Sequence, residues 1–312
     1  MVFRLHPLRF SFIALEPIRF EEGQSANMLR GAFGSILRRI VCVQECASPA
    51  SCERRAGCPY ARLFEPSAIM AGPSGLADWP RPFVFRAMHL DGRTFLPGAG
   101  FYFDLNLFDT DASLIGHLVR TFSELAREGL GRGRRKVELT EVLQLDGSGA
   151  PATVIYGDGS LKAVESIAPV EFSTDPGPEP VLRVRVKFAT PTELKSGRQV
   201  AARPEFGVLA RRIRDRISTL RELYGGGALD IDFQGFGERA SLIKMTRCEM
   251  TTIDVERRST RTGQVHSIGG LIGEAEYEGD LREFLPYLRL GTWTGVGRQT
   301  VWGKGAIEVE AL

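Results

Sequence analysis

DLREFLPYLRLGTWTGVGRQTVWGKGAIEVE, residues 280–310, decides how the fold is read. Asp280 can cap a short helix that runs to Leu290. The glycine-rich loop 291–305 then carries Gly291, Gly295, Gly297, Gly303 and Gly305, with Arg298 and Lys304 between them. Ala306–Glu310 closes the stretch as a strand. The same order, helix then basic glycine loop then strand, stands at 111–145. Asp111 or Ser113 opens a helix through Ala126, GLGRGRRK (Gly129–Lys136) is the loop, and Val137–Leu145 is the strand.

Working outward, each half fills in alike. In Phe3–Leu15 the residues Leu8, Phe10, Phe12 and Ala14 share one face and Arg9 and Ser11 the other, the period-two signature of a half-buried strand. Gln24–Ile40 places Met28, Leu29, Phe33, Ile36, Leu37 and Ile40 at helical spacing, with Gly31 and Gly34 expected to mark a close approach. Strand-like segments follow at Phe83–Met88 and Phe101–Phe108. The second half begins with VLRVRVKF, in which Leu182, Val184, Val186 and Phe188 oppose Arg183, Arg185 and Lys187. A helix at Glu205–Tyr224 and strands at Met245–Arg258 and His266–Tyr277 complete it. Both halves therefore read β-α-β-β-α-β, the split βαβ motif of a four-stranded antiparallel sheet with two helices on one face. The predicted class is α+β: two tandem ferredoxin-like (RRM-like) domains at 1–145 and 181–312, a linker at 146–180 rich in Gly, Pro, Ser and Ala, and a Cys-rich insertion at 42–66 in the first domain.

Composition agrees with a folded, two-domain chain. At 312 residues, 43% hydrophobic and 25% charged, it is neither disordered nor fibrous. Net charge is +2, so any nucleic-acid surface is local. No run approaches the ~20 apolar residues of a membrane helix, and Arg4, His6 and Arg9 break the N-terminus as a signal peptide. These features imply a cytoplasmic location with reduced thiols.

The glycine loop precedes a strand, which sets it apart from Walker and Rossmann loops. Its backbone N–H groups can form an anion site, Arg298 and Lys304 add charge, and Trp293 and Trp302 can stack on bases. The competing reading is a surface connection whose tryptophans pack on the sheet. Arg132, Arg134 and Arg135 form a second basic patch. Arg183, Arg185 and Lys187 are either an open RNA platform or, as strand charges usually are, a solvated face. Cys42, Cys46, Cys52 and Cys58 at C-x3-C-x5-C-x5-C fit structural zinc, an iron–sulfur cluster or no metal. Cys248 alternates with strand residues and belongs to the core.

Three segments together, MLRGAFGSILRR with the cluster ending CPYARLFEP, FATPTELK before an Arg-rich helix, and VHSIGGLIGEAEYEGDLREFLPYLRLGTWTGVGRQTVWGKGAIEV, resemble the repeat-processing endoribonucleases of the CRISPR-associated RAMP superfamily. The resemblance runs from about Leu8 to the C-terminus. It implies two ferredoxin-like domains, binding of the repeat in precursor CRISPR RNA, and metal-independent cleavage by the ribose 2′-hydroxyl, with no catalytic cofactor. It also implies an RNA-holding role for Gly291, Gly295, Gly297, Gly303 and Gly305.

Many members of that family place a histidine in or just after the first helix; residues 24–58 contain none. His266 is the remaining candidate for acid–base work, and Arg30 and Arg38 for electrostatic stabilisation of the phosphate. Besides the nuclease, a non-cleaving RAMP subunit that binds repeat-derived RNA with other subunits of an effector complex fits the same segments. A metal or redox protein built on the cysteines is the third reading.

Overall fold

The computed structural model describes residues 1–43, 46–69, 79–131, 133–197, 199–254, 256–258 and 265–312. It is a mixed α/β structure with antiparallel sheets, in two compact units. One is Arg4–Glu171 with Leu220–Gly226; the other is Met1–Phe3, Phe172–Thr219 and Gly227–Leu312.

The N-terminal half runs β1 (Val2–Ala14), β2 (Ile18–Arg19), α1 (Ser25–Val41), α2 (Pro59–Phe64), β3 (Phe83–Arg86), β4 (Thr94–Phe95), β5 (Gly100–Leu107), α3 (Ser113–Glu128), β6 (Val137–Leu145), β7 (Pro151–Gly157), β8 (Ser160–Leu161) and β9 (Val170–Ser173). Its sheet has the order β3-β5-β1-β6-β7-β8, with β9 also paired to β1. Leu8, Phe10, Phe12 and Ala14 are buried as their alternation predicts. Phe10 meets Phe122 of α3 at 4.6 Å between ring centroids, and Phe33 of α1 stacks on Phe122 at 5.3 Å. This sheet-to-helix aromatic seam is the core, because each ring buries a large apolar area that neither layer hides alone. On the opposite face Arg9 meets its cross-strand partner Asp104 at 2.8 Å.

Residues 146–180, read from composition as a linker, hold β7, β8 and β9. The β7–β8 turn uses Asp158 and Gly159, both at positive φ, the conformation a tight two-residue hairpin needs.

The C-terminal half runs β10 (Arg183–Thr192), β11 (Lys195–Ser196), β12 (Gln199–Val200), α4 (Phe206–Tyr224), α5 (Phe233–Leu242), β13 (Lys244–Ile253), β14 (Glu256–Arg258), β15 (Val265–Ser267), β16 (Gly270–Glu278), α6 (Leu285–Thr294) and β17 (Ile307–Ala311). The sheet order is β13-β16-β10-β17. Val184, Val186 and Phe188 are buried on one face, whereas Leu182 precedes the strand and is exposed. Phe206, Tyr277, Phe236 and Phe284 join in edge-on contacts beneath the helices.

Three local expectations change. Helix α5 was not foreseen, because Gly235 and Gly237 weaken its pattern. Asp232 caps it by accepting from the Gly235 N–H at 2.9 Å, and Gly237 lets Arg211 of α4 pass close by. Asp280 does not cap α6, which starts at Leu285 after Phe284. Gly291 is helical, not part of the loop: a Cβ there would lie 2.9 Å from Ile307 Cδ1.

Candidate functional site

Helix α1 carries both predicted catalytic arginines, Arg30 and Arg38. Gln24 provides no side-chain cap; instead Asp91 accepts from the Ser25 N–H (3.0 Å) and from its hydroxyl. Leu29, Phe33, Ile36 and Leu37 are buried and form the inward face of the helix. Arg30 is half-buried, its guanidinium 5.1 Å from the Phe64 ring centroid. Arg38 Nη2 donates to the carbonyls of Cys46 (3.4 Å) and Ala47 (3.0 Å), and the group stands 5.9 Å from the Tyr60 ring. Arg38 therefore ties the chain after α1 back to the helix. Arg39 is paired with Glu128 and lies 3.9 Å from Glu124.

The four clustered cysteines each close a turn. The backbone N–H groups of Cys42, Cys46, Cys52 and Cys58 donate to Arg38, Val43, Pro49 and Arg55, respectively. All four thiols are free and half-buried. Burial, then the neighbouring Cys46 and Cys58, push the Cys42 thiol up to about 11, so it is protonated at neutral pH. Among the described residues no three Cys, His, Asp or Glu side chains are arranged to hold a metal ion. The predicted zinc or iron–sulfur ligand set is not assembled as it stands.

The histidines separate clearly. His6 is fully buried with Nδ1 3.1 Å from Gln144 Oε1, and burial lowers its pKa. His117 is also lowered, by burial and then by Arg120. His89 sits 2.8 Å from the Tyr102 carbonyl. His266 has its backbone in β15, opposite Arg257 of β14; its side chain lies outside the described residues.

The glycine loop is held rather than free. Gly295 caps α6 at φ +72°. Val296 N–H donates to Gly305 O (2.8 Å), Gly305 N–H to Pro191 O (3.1 Å) and Arg298 N–H to Glu193 O (3.3 Å). Gly297 and Gly305, both at positive φ, are where only glycine fits: a Cβ would stand 2.3 Å from Glu193 O and 1.9 Å from Val296 O. Gly303 is left-handed as well. Arg298 Nη1 pairs with Glu193 at 3.1 Å and remains half exposed. Lys304 is buried, which takes its ammonium off the surface where charge for a phosphate was expected. Trp293 packs on Phe172 at 5.2 Å. Glu193 was missed from the sequence; its only signal was its place in FATPTELK.

The other basic groups divide. Arg183 and Arg185 both pair with Glu276 at 3.0 Å, and Lys187 with Glu308 at 2.9 Å. This ladder of cross-strand ion pairs is not an open cationic platform. Arg134 and Arg135 are exposed on a tight turn closed by Leu130 and Arg135, whereas Arg132 lies outside the described residues.

Four strands of the first sheet, β3-β5-β1-β6, repeat the spatial order of the second, β13-β16-β10-β17, each set with a helix after its first and its third strand in the chain, and the second ends in a glycine loop stapled to the exit of β10. These features define a class of α/β proteins with antiparallel sheets, to which the comparisons give a family. The AF_1859_N family (N-terminal domain) matches residues 3–169, more than half of the chain, and the family described as CRISPR-associated endoribonuclease Cas6 matches residues 186–307. The chain belongs to the AF_1859_N family, and the Cas6 match over its C-terminal half marks it as a CRISPR-associated repeat-processing endoribonuclease. Among solved structures it is similar to a Cas6 (TTHB231) product complex, at 17% identity and TM-score 0.57 over 98% of this chain and all of that one. It is similar to a Cas6 (TTHA0078) product complex, at 18% identity and TM-score 0.53 over all of both chains. The Thermus thermophilus Cas6 (TTHB231) gives 15% identity and TM-score 0.53 over 98% of each. These likenesses support the fold. No curated protein matches the chain. No described helix is long and apolar enough to cross a membrane.

Proposed function

We propose that this endoribonuclease cuts CRISPR repeat RNA in precursor transcripts without a metal ion, on two tandem ferredoxin-like domains. The observation that carries the reading is the Cas6 match over 186–307, which runs from within β10 to the first residue of β17 and includes the whole glycine loop. Strand orders β3-β5-β1-β6 and β13-β16-β10-β17 support the tandem arrangement, being the same permutation of the βαββαβ unit.

In the proposed reaction the ribose O2′ bonds to the adjacent phosphorus and the P–O5′ bond breaks. The 2′-hydroxyl proton leaves and the departing 5′-oxygen gains one, giving a 2′,3′-cyclic phosphate and a 5′-hydroxyl. His266 is the proposed proton carrier, since an ordinary imidazole titrates near neutrality. Arg30 and Arg38 are proposed to supply positive charge to the phosphate rather than to transfer a proton. Gly291, Gly295, Gly297, Arg298, Gly303, Lys304 and Gly305, with Arg132, Arg134 and Arg135, are the proposed RNA-holding set. Gly291 and Lys304 act in it from beneath, by packing. The proposed partner is the repeat RNA.

The test is incubation of the full chain with end-labelled repeat RNA in excess EDTA. One cut at one position is expected; tight binding without a cut returns the non-cleaving subunit reading. A structural metal at Cys42, Cys46, Cys52 and Cys58 is a separate proposal, resting on their clustering within residues 42–58, where the only buried side chain among the described residues is Pro49. Native mass spectrometry of the purified chain is expected to show the mass of one bound zinc or cluster, absent from the four-serine variant.

A further inference from the structure

A groove of about 540 Å³ lies within the N-terminal unit, where the end of α1, one face of α3 and the β7–β8 hairpin meet. Its size is that of a small-molecule site. Its rim carries Arg39, Arg120 and Arg127 against one carboxylate, Glu124, and its walls include Tyr156 and Leu161.

The three arginines are not equivalent. Arg39 is committed to Glu128. Arg127 has a loose pair with Glu124 at 3.6 Å, and its side chain is 79% exposed. Arg120 is exposed and makes no ion pair or side-chain hydrogen bond among the described residues. The hairpin that forms the far wall is fixed in register, Tyr156 opposite Leu161, by its two-residue turn. At Gly116 of α3 a Cβ would stand in ordinary contact with Leu161 Cδ2, at 3.9 Å, so helix and hairpin pack side by side there.

A guanidinium with free donors lining one groove with a half-buried phenol ring and a leucine is the chemistry that takes a nucleotide of a single strand: phosphate on the cation, base on the ring. We infer that this groove holds a single-stranded nucleotide of the bound RNA, with Arg120 on its phosphate and Tyr156 on its base. It is a further RNA contact besides the glycine loop and the 129–136 turn. The inference rests on the proposed reading of the chain as a repeat-RNA endoribonuclease.

The experiment measures binding of a repeat RNA with flanking nucleotides, carrying a 2′-deoxy residue at the cut so that it stays intact. Wild type, Arg120→Ala, Arg120→Lys, Tyr156→Ala and Tyr156→Phe are compared across salt concentrations. Arg120→Ala is expected to weaken binding about fivefold and to flatten the salt slope by about 0.7, the share of one phosphate contact on a single strand. Arg120→Lys is expected to restore the slope. Tyr156→Ala is expected to lose about tenfold through lost stacking, with Tyr156→Phe unchanged. Wild-type affinity and slope in both alanine variants would overturn the inference while leaving the nuclease reading intact. Failure of the wild type to bind the RNA at all would overturn that reading first.

Discussion

Gly31 and Gly34 sit one turn apart on α1 and have opposite surroundings. A Cβ on Gly34 would meet the Phe64 ring at 2.9 Å, whereas nothing lies within 4 Å of one on Gly31. Gly31→Ala should therefore gain roughly 0.5–1 kcal/mol in urea unfolding from helix propensity alone. Gly34→Ala should gain nothing or lose, because the ring must move. Glu276 is the second residue with a clear prediction. Arg185 first, with Arg247 and Arg183, holds its carboxylate below the usual range. A depressed native pKa stabilises above the unfolded value, about 4.3 for glutamate, and the gain is lost as pH falls through the native one. The stability advantage of wild type over Glu276→Gln should be full at pH 7 and vanish on acidification below about pH 4. An advantage that does not decline as the pH falls below the unfolded value would contradict the ion-pair account.

At the scale of elements, the long strands and helices were legible because their alternation is strong. Phe10 and Phe12 against Arg9 and Ser11 give β1 directly, and the observed burial follows them. What escaped depends on tertiary packing. Helix α5 contains two glycines that single-sequence propensity penalises, yet Gly237 is what lets α4 and α5 approach. The pairing of Arg183, Arg185 and Lys187 with carboxylates of β16 and β17 depends on register, which a strand's own letters do not specify. For the same reason the glycine loop was recognised, but its staple to Glu193 was not. That staple makes a prediction: Gly305→Ala forces a side chain at φ +69° into the Val296 carbonyl. It should cost roughly 1–3 kcal/mol or more through strain, seen as a lower thermal midpoint. Gly297→Ala, at φ +77° against Glu193 O, should act in the same direction.

For the molecule as a whole, fold and family were readable from a few segments, and catalysis was not. The glycine loop and the repeated helix–loop–strand order are local signals that survive low identity. A catalytic base is a single side chain, and the usual first-helix histidine has no counterpart in residues 24–58. His6 is spent in the core, and burial lowers the pKa of His6 and His117 alike. The account accordingly stands on the chemistry of the cut. The most direct measurement gives the full chain an all-ribose repeat RNA and a copy with a single 2′-deoxy at the cut position, both in excess EDTA. The account predicts one product with a 2′,3′-cyclic phosphate from the first and no product from the second. Cleavage of the deoxy substrate, or cleavage that appears only when a divalent metal is restored, would contradict it.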